Sequence, residues 1–152
     1  MPRAIHYYDI NTQQLNTLET LEKYTSHLDK DFDSSSIELK PILRYVHAHL
    51  FEKTLCVKTI RIACEVRNNN VTTRFRQATG MTICEYVAQR RLEVAACILS
   101  SLEVNIYVLA AAVGYTEEAF SKAFRRSYGC SPLWYRKKCS RTNGNALIPP
   151  DK

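Results

Sequence analysis

Apolar residues recur at intervals of three and four along most of this chain, which is the spacing of an amphipathic α-helix. The pattern predicts an opening helix near residues 39–50 and a longer helix near residues 83–100. The longer helix begins with Thr82-Ile83-Cys84-Glu85, a capping-box sequence. No segment shows the apolar–polar alternation that is typical of a half-buried strand. The pattern therefore predicts an all-α protein.

Two parts of the chain repeat each other at an offset of 49 residues, as Phe75 and Phe124 illustrate. The string Phe-Arg-x-x-x-Gly-x-[Thr/Ser]-x-x-x-Tyr occurs in both copies without a gap. In each copy a short helix, a break and a second helix are predicted, and the second helix ends at Gly80 or Gly129. This is the helix-turn-helix arrangement. We predict two such units joined by the long helix, with about seven helices in all.

Composition and patterning divide the chain into an arm, a body and a tail. In the arm, leucines and a tyrosine at spacings of three or four form an amphipathic stripe, which either packs on the body or forms a dimer. The stripe consists of Leu15, Leu18, Leu21, Tyr24 and Leu28. The predicted boundaries are 1–36 for the arm and its polar linker (29–36), 37–81 for the first unit, 82–100 for the linker helix, 101–138 for the second unit and 139–152 for a frayed tail.

Charge is distributed unevenly between these parts. Residues 1–40 hold four basic and seven acidic residues, a net charge of −3, whereas residues 41–152 hold 17 basic and 8 acidic residues, a net charge of +9. A strongly basic body is the electrostatic signature of a polyanion-binding protein. No nucleophile–base pair, carboxylate pair or glycine-rich phosphate loop is present. We therefore expect no enzyme activity and no cofactor.

Cysteine and histidine residues indicate no metal site. The six cysteines include no Cys-x-x-Cys pair. We therefore expect the cysteines to behave as small buried apolar residues in a reducing compartment and to form no disulfides. His47 and His49 lie two apart on a predicted helix and are expected on the surface. The longest strictly apolar run, residues 108–113, is far shorter than a membrane span, and no signal peptide is recognisable. These features predict no membrane association and a cytoplasmic location.

The second unit has the spacing Ile106-x-x-Leu109-Ala110-x-x-Val113-Gly114-Tyr115, then Phe120-Ser121-Lys122-Ala123-Phe124-Arg125-Arg126, then Gly129-Cys130-Ser131-Pro132-x-x-Tyr135-Arg136. The linker helix adds Tyr86-x-x-x-Arg90-Arg91-Leu92-x-x-Ala95-x-x-Ile98-Leu99. Together these segments resemble the DNA-binding domain of the AraC/XylS family of bacterial transcription regulators, over about residues 38–138. The resemblance implies that two homeodomain-like units read adjacent major-groove segments near a promoter, and that double-stranded DNA is the partner.

Positions carried over from the family imply the residues that contact DNA. The first reading helix would span residues 68–78 and the second about 117–127. The base-reading residues would be Asn69, Thr72 and Thr73 in the first unit and Glu118, Ala119 and Lys122 in the second. The phosphate contacts would be Arg76, Arg90, Arg125 and Arg126. Asn can bond adenine bidentately, Thr contacts thymine methyl groups, and Lys reaches guanine or phosphate.

The first unit departs from the family pattern at three positions. Members usually carry Gly or another small residue in the turn and Ala on the helix before it, where this chain has Glu65 and Arg61. Arg74 replaces a residue that is normally apolar. Because an unpaired buried charge is costly, we expect these side chains to reach solvent, to pair or to distort the unit. Glu65 lies four residues after Arg61, which is close enough to pair.

Two functions remain open at this stage. The first is a sequence-specific regulator, associated with the nucleoid, that recruits or blocks RNA polymerase. The second is a protein-interaction module that pairs with another regulator and has lost specific DNA reading. The net charge of the body favours the first function, whereas Arg61, Glu65 and Arg74 favour the second. At 152 residues we expect no sensor domain, so the chain is either a stand-alone regulator or a piece of a longer one.

Overall fold

The computed structural model describes residues 7–31, 39–66 and 70–141 of the chain. These residues form eight α-helices and no strand, which confirms the all-α prediction. The seven predicted helices of the body are present, and the arm adds an eighth. The helices are α1 (Tyr7–Asp31), α2 (Lys40–Ala48), α3 (Val57–Ala63), α4 (Asn70–Thr79), α5 (Ile83–Ser101), α6 (Ile106–Ala112), α7 (Glu117–Tyr128) and α8 (Pro132–Arg141).

Local sequence signals set the ends of the main helices. At the start of α5, the Glu85 backbone N–H donates to Thr82 Oγ1 at 3.2 Å, and the Thr82 N–H donates to Glu85 Oε2 at 2.9 Å. The predicted capping box is therefore confirmed. Thr116 caps α7 in the same way, because its side chain accepts from the Ala119 N–H at 3.3 Å. Gly129 ends α7 with a left-handed φ of +73°.

The long helix α5 divides the buried interior into two cores. Its first half contributes Ile83, Tyr86 and Val87 to a core around α2, α3 and α4. Its second half, from Leu92 onward, packs into a core around α6, α7 and α8. Phe51 borders both cores. At about 1.5 Å per residue, the 19 residues of α5 extend about 28 Å, so one continuous helix joins both helix-turn-helix units.

The arm helix α1 packs on the body along part of its predicted stripe. Leu21 and Leu28 are buried, Leu21 in the second core and Leu28 in the first. Tyr24 lies between them and donates its hydroxyl to Glu93 Oε2 of α5 at 2.8 Å. Leu15 and Leu18 remain 58% and 53% exposed. Of the two alternatives for the stripe, packing on the body accounts for its C-terminal part and leaves the N-terminal leucines uncovered.

Two predicted boundaries need correction. The polar linker was expected from residue 29, but α1 continues to Asp31. The tail was expected from residue 139, but α8 continues to Arg141, and Cys139 is buried in the second core. Helix α8 runs on because Cys139 lies on the same face as Tyr135, one turn earlier, and completes the buried stripe. The rest of both predicted segments lies outside the described residues.

The cysteine and histidine predictions were wrong in part. All six cysteines are free, but Cys139 alone is buried, and Cys56, Cys84 and Cys97 are exposed. His47 is buried rather than on the surface, with its Nε2 atom 2.8 Å from the Tyr86 hydroxyl. A buried imidazole is tolerated there because the tyrosine satisfies its polar atom. None of the described helices is long and apolar enough to cross a membrane.

Candidate nucleic-acid interface

Helix α7 of the second unit presents a polar face that is supported by an aromatic core. Phe120 and Phe124 point inward and are fully buried, with ring centroids 5.6 Å apart. With 3.6 residues per turn, the opposite face of α7 must point outward. Glu118, Ala119, Lys122, Arg125 and Arg126 are all exposed on this helix. The structure therefore places all five predicted contact residues of α7 on its surface.

Two of these residues already bond each other. Lys122 Nζ lies 2.8 Å from Glu118 Oε1, one helical turn away, and the two side chains are 74% and 80% exposed. An ion pair this exposed contributes little to stability, so either partner is free to exchange it for another contact. The pair holds the lysine along the helix surface. In this position the ammonium group and the carboxylate offer a donor and an acceptor side by side.

Helix α4 is the corresponding helix of the first unit. Val71 and Phe75 are buried, and Phe75 packs edge-on against Tyr86 at 5.3 Å between centroids. Thr73 and Arg76 are exposed, whereas Thr72 is half-buried at the edge of the core. Asn69 lies outside the described residues, so its role stays a prediction.

Two exposed amide residues of α4 are absent from the predicted set of DNA contacts. Asn70 lies 49 residues before Ala119, and Gln77 lies 49 residues before Arg126. Both are exposed. The internal repeat was the signal that could have identified them, because each pairs with a residue already singled out in the second unit. Amide side chains are also well suited to bonding base edges.

Arg90 is less accessible than the other predicted phosphate contacts. Its guanidinium Nη1 bonds Glu93 Oε2 at 2.8 Å, and the side chain is 23% exposed. The guanidinium also lies over the Tyr86 ring, 5.0 Å from its centroid. Burial and the hydrogen bond to Glu93 raise the pKa of Tyr24, so the arm tyrosine stays a donor in this cluster. A phosphate contact from Arg90 would have to compete with Glu93.

The three unusual residues of the first unit have different outcomes. Arg74 is exposed, as the expectation that it reaches solvent requires. Glu65 takes a left-handed backbone, with φ of +52°, and its side chain is exposed. Arg61 is half-buried, and its Nε atom is buried without a hydrogen-bond partner. Among the described residues Glu65 and Arg61 do not pair, because the left-handed turn carries Glu65 off the helical path that would bring the two together.

No other chemistry is evident around this surface. Within the described ranges, no group of three or more His, Cys, Asp or Glu side chains is placed to hold a metal ion. Most exposed positions on α4 and α7 are amide, hydroxyl and cationic groups, with two carboxylates, Glu117 and Glu118, in the first turn of α7. Such groups donate to phosphate oxygens and bond base edges. The arrangement suits the binding of a polyanion.

The chain is similar to known proteins over the region that contains its two helix-turn-helix units. A family model described as a helix-turn-helix domain matches residues 63–138, which is half of the chain. A curated relative, the HTH-type transcriptional regulator AlkR of Acinetobacter baylyi, is 34% identical over 102 residues, covering 66% of this chain and 33% of the relative. The chain spans between a third and a half of the length of the first curated relatives it matches.

Solved structures share the fold. The C-terminal domain of AraT, a response regulator from Geobacillus stearothermophilus, superposes with a TM-score of 0.66 at 24% identity, over 79% of this chain and 95% of that domain. The DNA-binding domain of AdpA, solved in complex with a target DNA, gives a TM-score of 0.65 at 23% identity, over 72% of this chain and 99% of that domain. At these identities the likeness is one of fold.

Proposed function

We propose that this chain, which belongs to the AraC-type helix-turn-helix family, is a sequence-specific DNA-binding transcriptional regulator that inserts α4 and α7 into adjacent segments of the major groove. The observation that carries the proposal is the outer face of α7, where five exposed residues with complementary chemistry stand over a rigid aromatic core. A reading helix has to be held rigidly, and Phe120 and Phe124 do this from the inner face.

We assign different roles to the exposed residues of this face. Lys122 and Glu118 would read base edges after giving up their mutual ion pair, with Ala119 against a thymine methyl group. Arg125 and Arg126, in the last turn of α7, would contact phosphates. In the first unit, Thr73 and Asn69 would read bases and Arg76 would contact phosphate, with Thr72 contributing from the edge of the core. Arg90 would reach phosphate only at the expense of Glu93.

Wider aspects of the function follow from DNA binding. We propose that the bound protein recruits or blocks RNA polymerase at nearby promoters, and that it acts in the cytoplasm, associated with the nucleoid. No catalytic role is proposed. Self-association is a second proposal, because Leu15 and Leu18 leave an apolar strip on α1 uncovered. Sedimentation velocity would test it, and replacing both leucines with glutamate should abolish any dimer without unfolding the body.

Selection of random duplex DNA on the purified protein, followed by salt-dependent binding to the best site, tests the main proposal. We expect a preferred sequence and a log–log salt slope of about −5 to −7, which corresponds to roughly six to eight neutralised phosphates. Arg125→Ala should weaken binding to every duplex and flatten the slope by about one. Lys23→Ala, which removes an exposed lysine from α1, is the matched control and should leave the slope unchanged.

Two results would contradict the proposal. The expected salt slope without any preferred sequence would mean that the protein binds DNA but does not read it. No duplex binding at low salt would favour the alternative, a protein-interaction module. The left-handed backbone of Glu65, with a φ of +52°, is the specific observation on the side of that alternative, since it indicates a strained turn in the first unit.

A further inference from the structure

Arg91 lies in the middle of α5, between the two cores, and is 7% exposed. Its guanidinium has no carboxylate partner in the described part of the chain. Instead, Nε donates to the Leu50 carbonyl and Nη2 to the Glu52 carbonyl, both at 2.6 Å. These carbonyls belong to the segment between α2 and α3, in the first unit. A buried cation is thus held by backbone carbonyl groups, which have little freedom to move.

The same guanidinium also bonds the second unit. Nη1 donates to the Gly114 carbonyl at 3.3 Å, and the guanidinium lies 5.4 Å from the centroid of the Tyr115 ring. Gly114 and Tyr115 form the turn between α6 and α7, directly before the N-cap residue Thr116. One side chain therefore connects the first unit with the turn that aims the second reading helix.

The turn at Gly114 lies very close to the Arg91 guanidinium and to the backbone of the first unit at Phe51. A Cβ atom on Gly114 would lie 2.8 Å from the Phe51 carbonyl oxygen and 2.9 Å from Arg91 Cζ. Its φ of +87° also favours glycine. The backbones of the two units consequently approach each other closely at this point, beside the Arg91 guanidinium.

We infer that Arg91 is a positioning residue that sets the relative orientation of the two reading helices, and thereby the half-site spacing that the protein accepts. The inference rests on the proposed function. Turning one unit about α5 would pull the Gly114 carbonyl away from those of Leu50 and Glu52, and would leave a buried cation short of acceptors. Because charged donors lose most when left unsatisfied inside a protein, the guanidinium resists that motion.

The inference is tested by measuring affinity for the selected duplex and for the same duplex with one base pair inserted between the half-sites. One base pair turns the second half-site by about 35° and moves it by about 3.4 Å. For the wild-type protein we expect the insertion to reduce affinity roughly 10- to 100-fold, the loss expected when contacts to one or two base pairs fail. For Arg91→Gln we expect the two affinities to differ by less than about threefold.

Arg136→Gln is the matched control, because Arg136 is a half-buried arginine that, like Arg91, donates to a backbone carbonyl, that of Val104, but within the second unit alone. It should keep the wild-type ratio of the two affinities even if it lowers both. If Arg91→Gln lowers both affinities by one factor and keeps the ratio, Arg91 merely stabilises the fold and the inference is wrong. A wild-type protein that tolerates the insertion would also overturn it.

A second measurement does not depend on DNA. Residual dipolar couplings of the wild-type protein should fit a single alignment tensor for both units, because the two units are locked together. In Arg91→Lys, which keeps the charge but loses the fork of donors, the units should require different tensors. One shared tensor in Arg91→Lys would contradict the inference. If the wild-type protein bound no duplex at all, the proposed function would fail while this measurement still decided the role of Arg91.

Discussion

The two helix-turn-helix units are built on one repeated pattern, yet they differ where the backbone turns. Gly114 takes a φ of +87° in the second unit, and Glu65, at the equivalent position of the first, takes a φ of +52°. Glycine adopts this region without strain, whereas a residue with a Cβ atom does not. The first unit therefore keeps the required turn although its sequence disfavours it. The geometry is imposed by the packing of the helices on either side.

The helix before the turn shows the same contrast. Ala110 is fully buried in the second unit, and Arg61 occupies the equivalent position in the first. The long arginine side chain is half-buried, with its Nε atom out of reach of any acceptor. A charged side chain is tolerated at a packed position if its head reaches water along its apolar stem. The second unit also holds a buried arginine Nε atom without a partner, that of Arg136, so the strained turn at Glu65 is what distinguishes the first unit.

The largest expected effect concerns the buried phenylalanine that both units carry at equivalent positions. Phe75→Ala and Phe124→Ala should each reduce the free energy of unfolding by about 3–5 kcal/mol, because each removes a fully buried ring from a close-packed core. Phe124 contacts the rings of Phe120, Tyr128 and Tyr135, so its removal should cost more than that of Phe75. Urea unfolding followed by circular dichroism measures the difference. Equal costs, or a larger cost for Phe75, would show that the first unit is the better packed one.

The second prediction tests the turn of the second unit. Gly114→Ala should destabilise the protein by about 2–4 kcal/mol, because it adds a left-handed alanine and a clash with Phe51 and Arg91. Gly80→Ala is the matched control. Gly80 has a φ of +76°, but a Cβ atom added there would have nothing within 4 Å, so strain alone should cost about 1–2 kcal/mol. Thermal unfolding of the two variants should separate the clash from the strain, and equal melting temperatures would argue against the close approach of the two units at Gly114.

Much of the fold follows from the sequence, and the reasons are local. Thr82 and Glu85 specify the start of α5 through adjacent hydrogen bonds, and Gly129 ends α7 through its own backbone preference. The buried phenylalanines follow from helical periodicity. Such signals depend on residues within one or two turns of each other, so they can be recognised in the sequence without knowledge of the tertiary structure.

What could not be predicted depends on contacts between distant parts of the chain. The burial of His47 needs the Tyr86 hydroxyl, 39 residues away. The ion pair of Arg90 with Glu93 is local, but the added bond from Tyr24 bridges 69 residues and was not foreseeable from periodicity. The same holds for Arg91, whose acceptors come from two separate turns. In the candidate interface, exposure of the α7 residues was foreseeable from the periodicity of one helix, whereas the partial burial of Thr72 was not.

The third prediction compares the two units on DNA. Lys122→Ala should reduce affinity for the best site by about 1–3 kcal/mol, with little effect on unrelated duplexes, because a base contact acts on one sequence only. Thr73→Ala, at the equivalent position of the strained first unit, should cost less, and so should Asn69→Ala. Competition binding at fixed salt measures these differences. If Thr73→Ala cost more than Lys122→Ala, the first unit would be the main reader despite its unusual turn.

The smallest effect should come from giving the turn of the first unit the glycine that the second unit has at the equivalent position. Glu65→Gly removes the strain of a left-handed glutamate but adds the backbone entropy that glycine loses on folding, so the net gain should be about 0.5–1 kcal/mol. Glu65→Ala keeps the Cβ atom and should bring no such gain, which makes it the matched control. Urea unfolding midpoints of the three proteins would decide between them. A destabilised Glu65→Gly variant would mean that the glutamate side chain contributes more than its exposed position suggests, and that the first unit is adapted to its turn rather than strained by it.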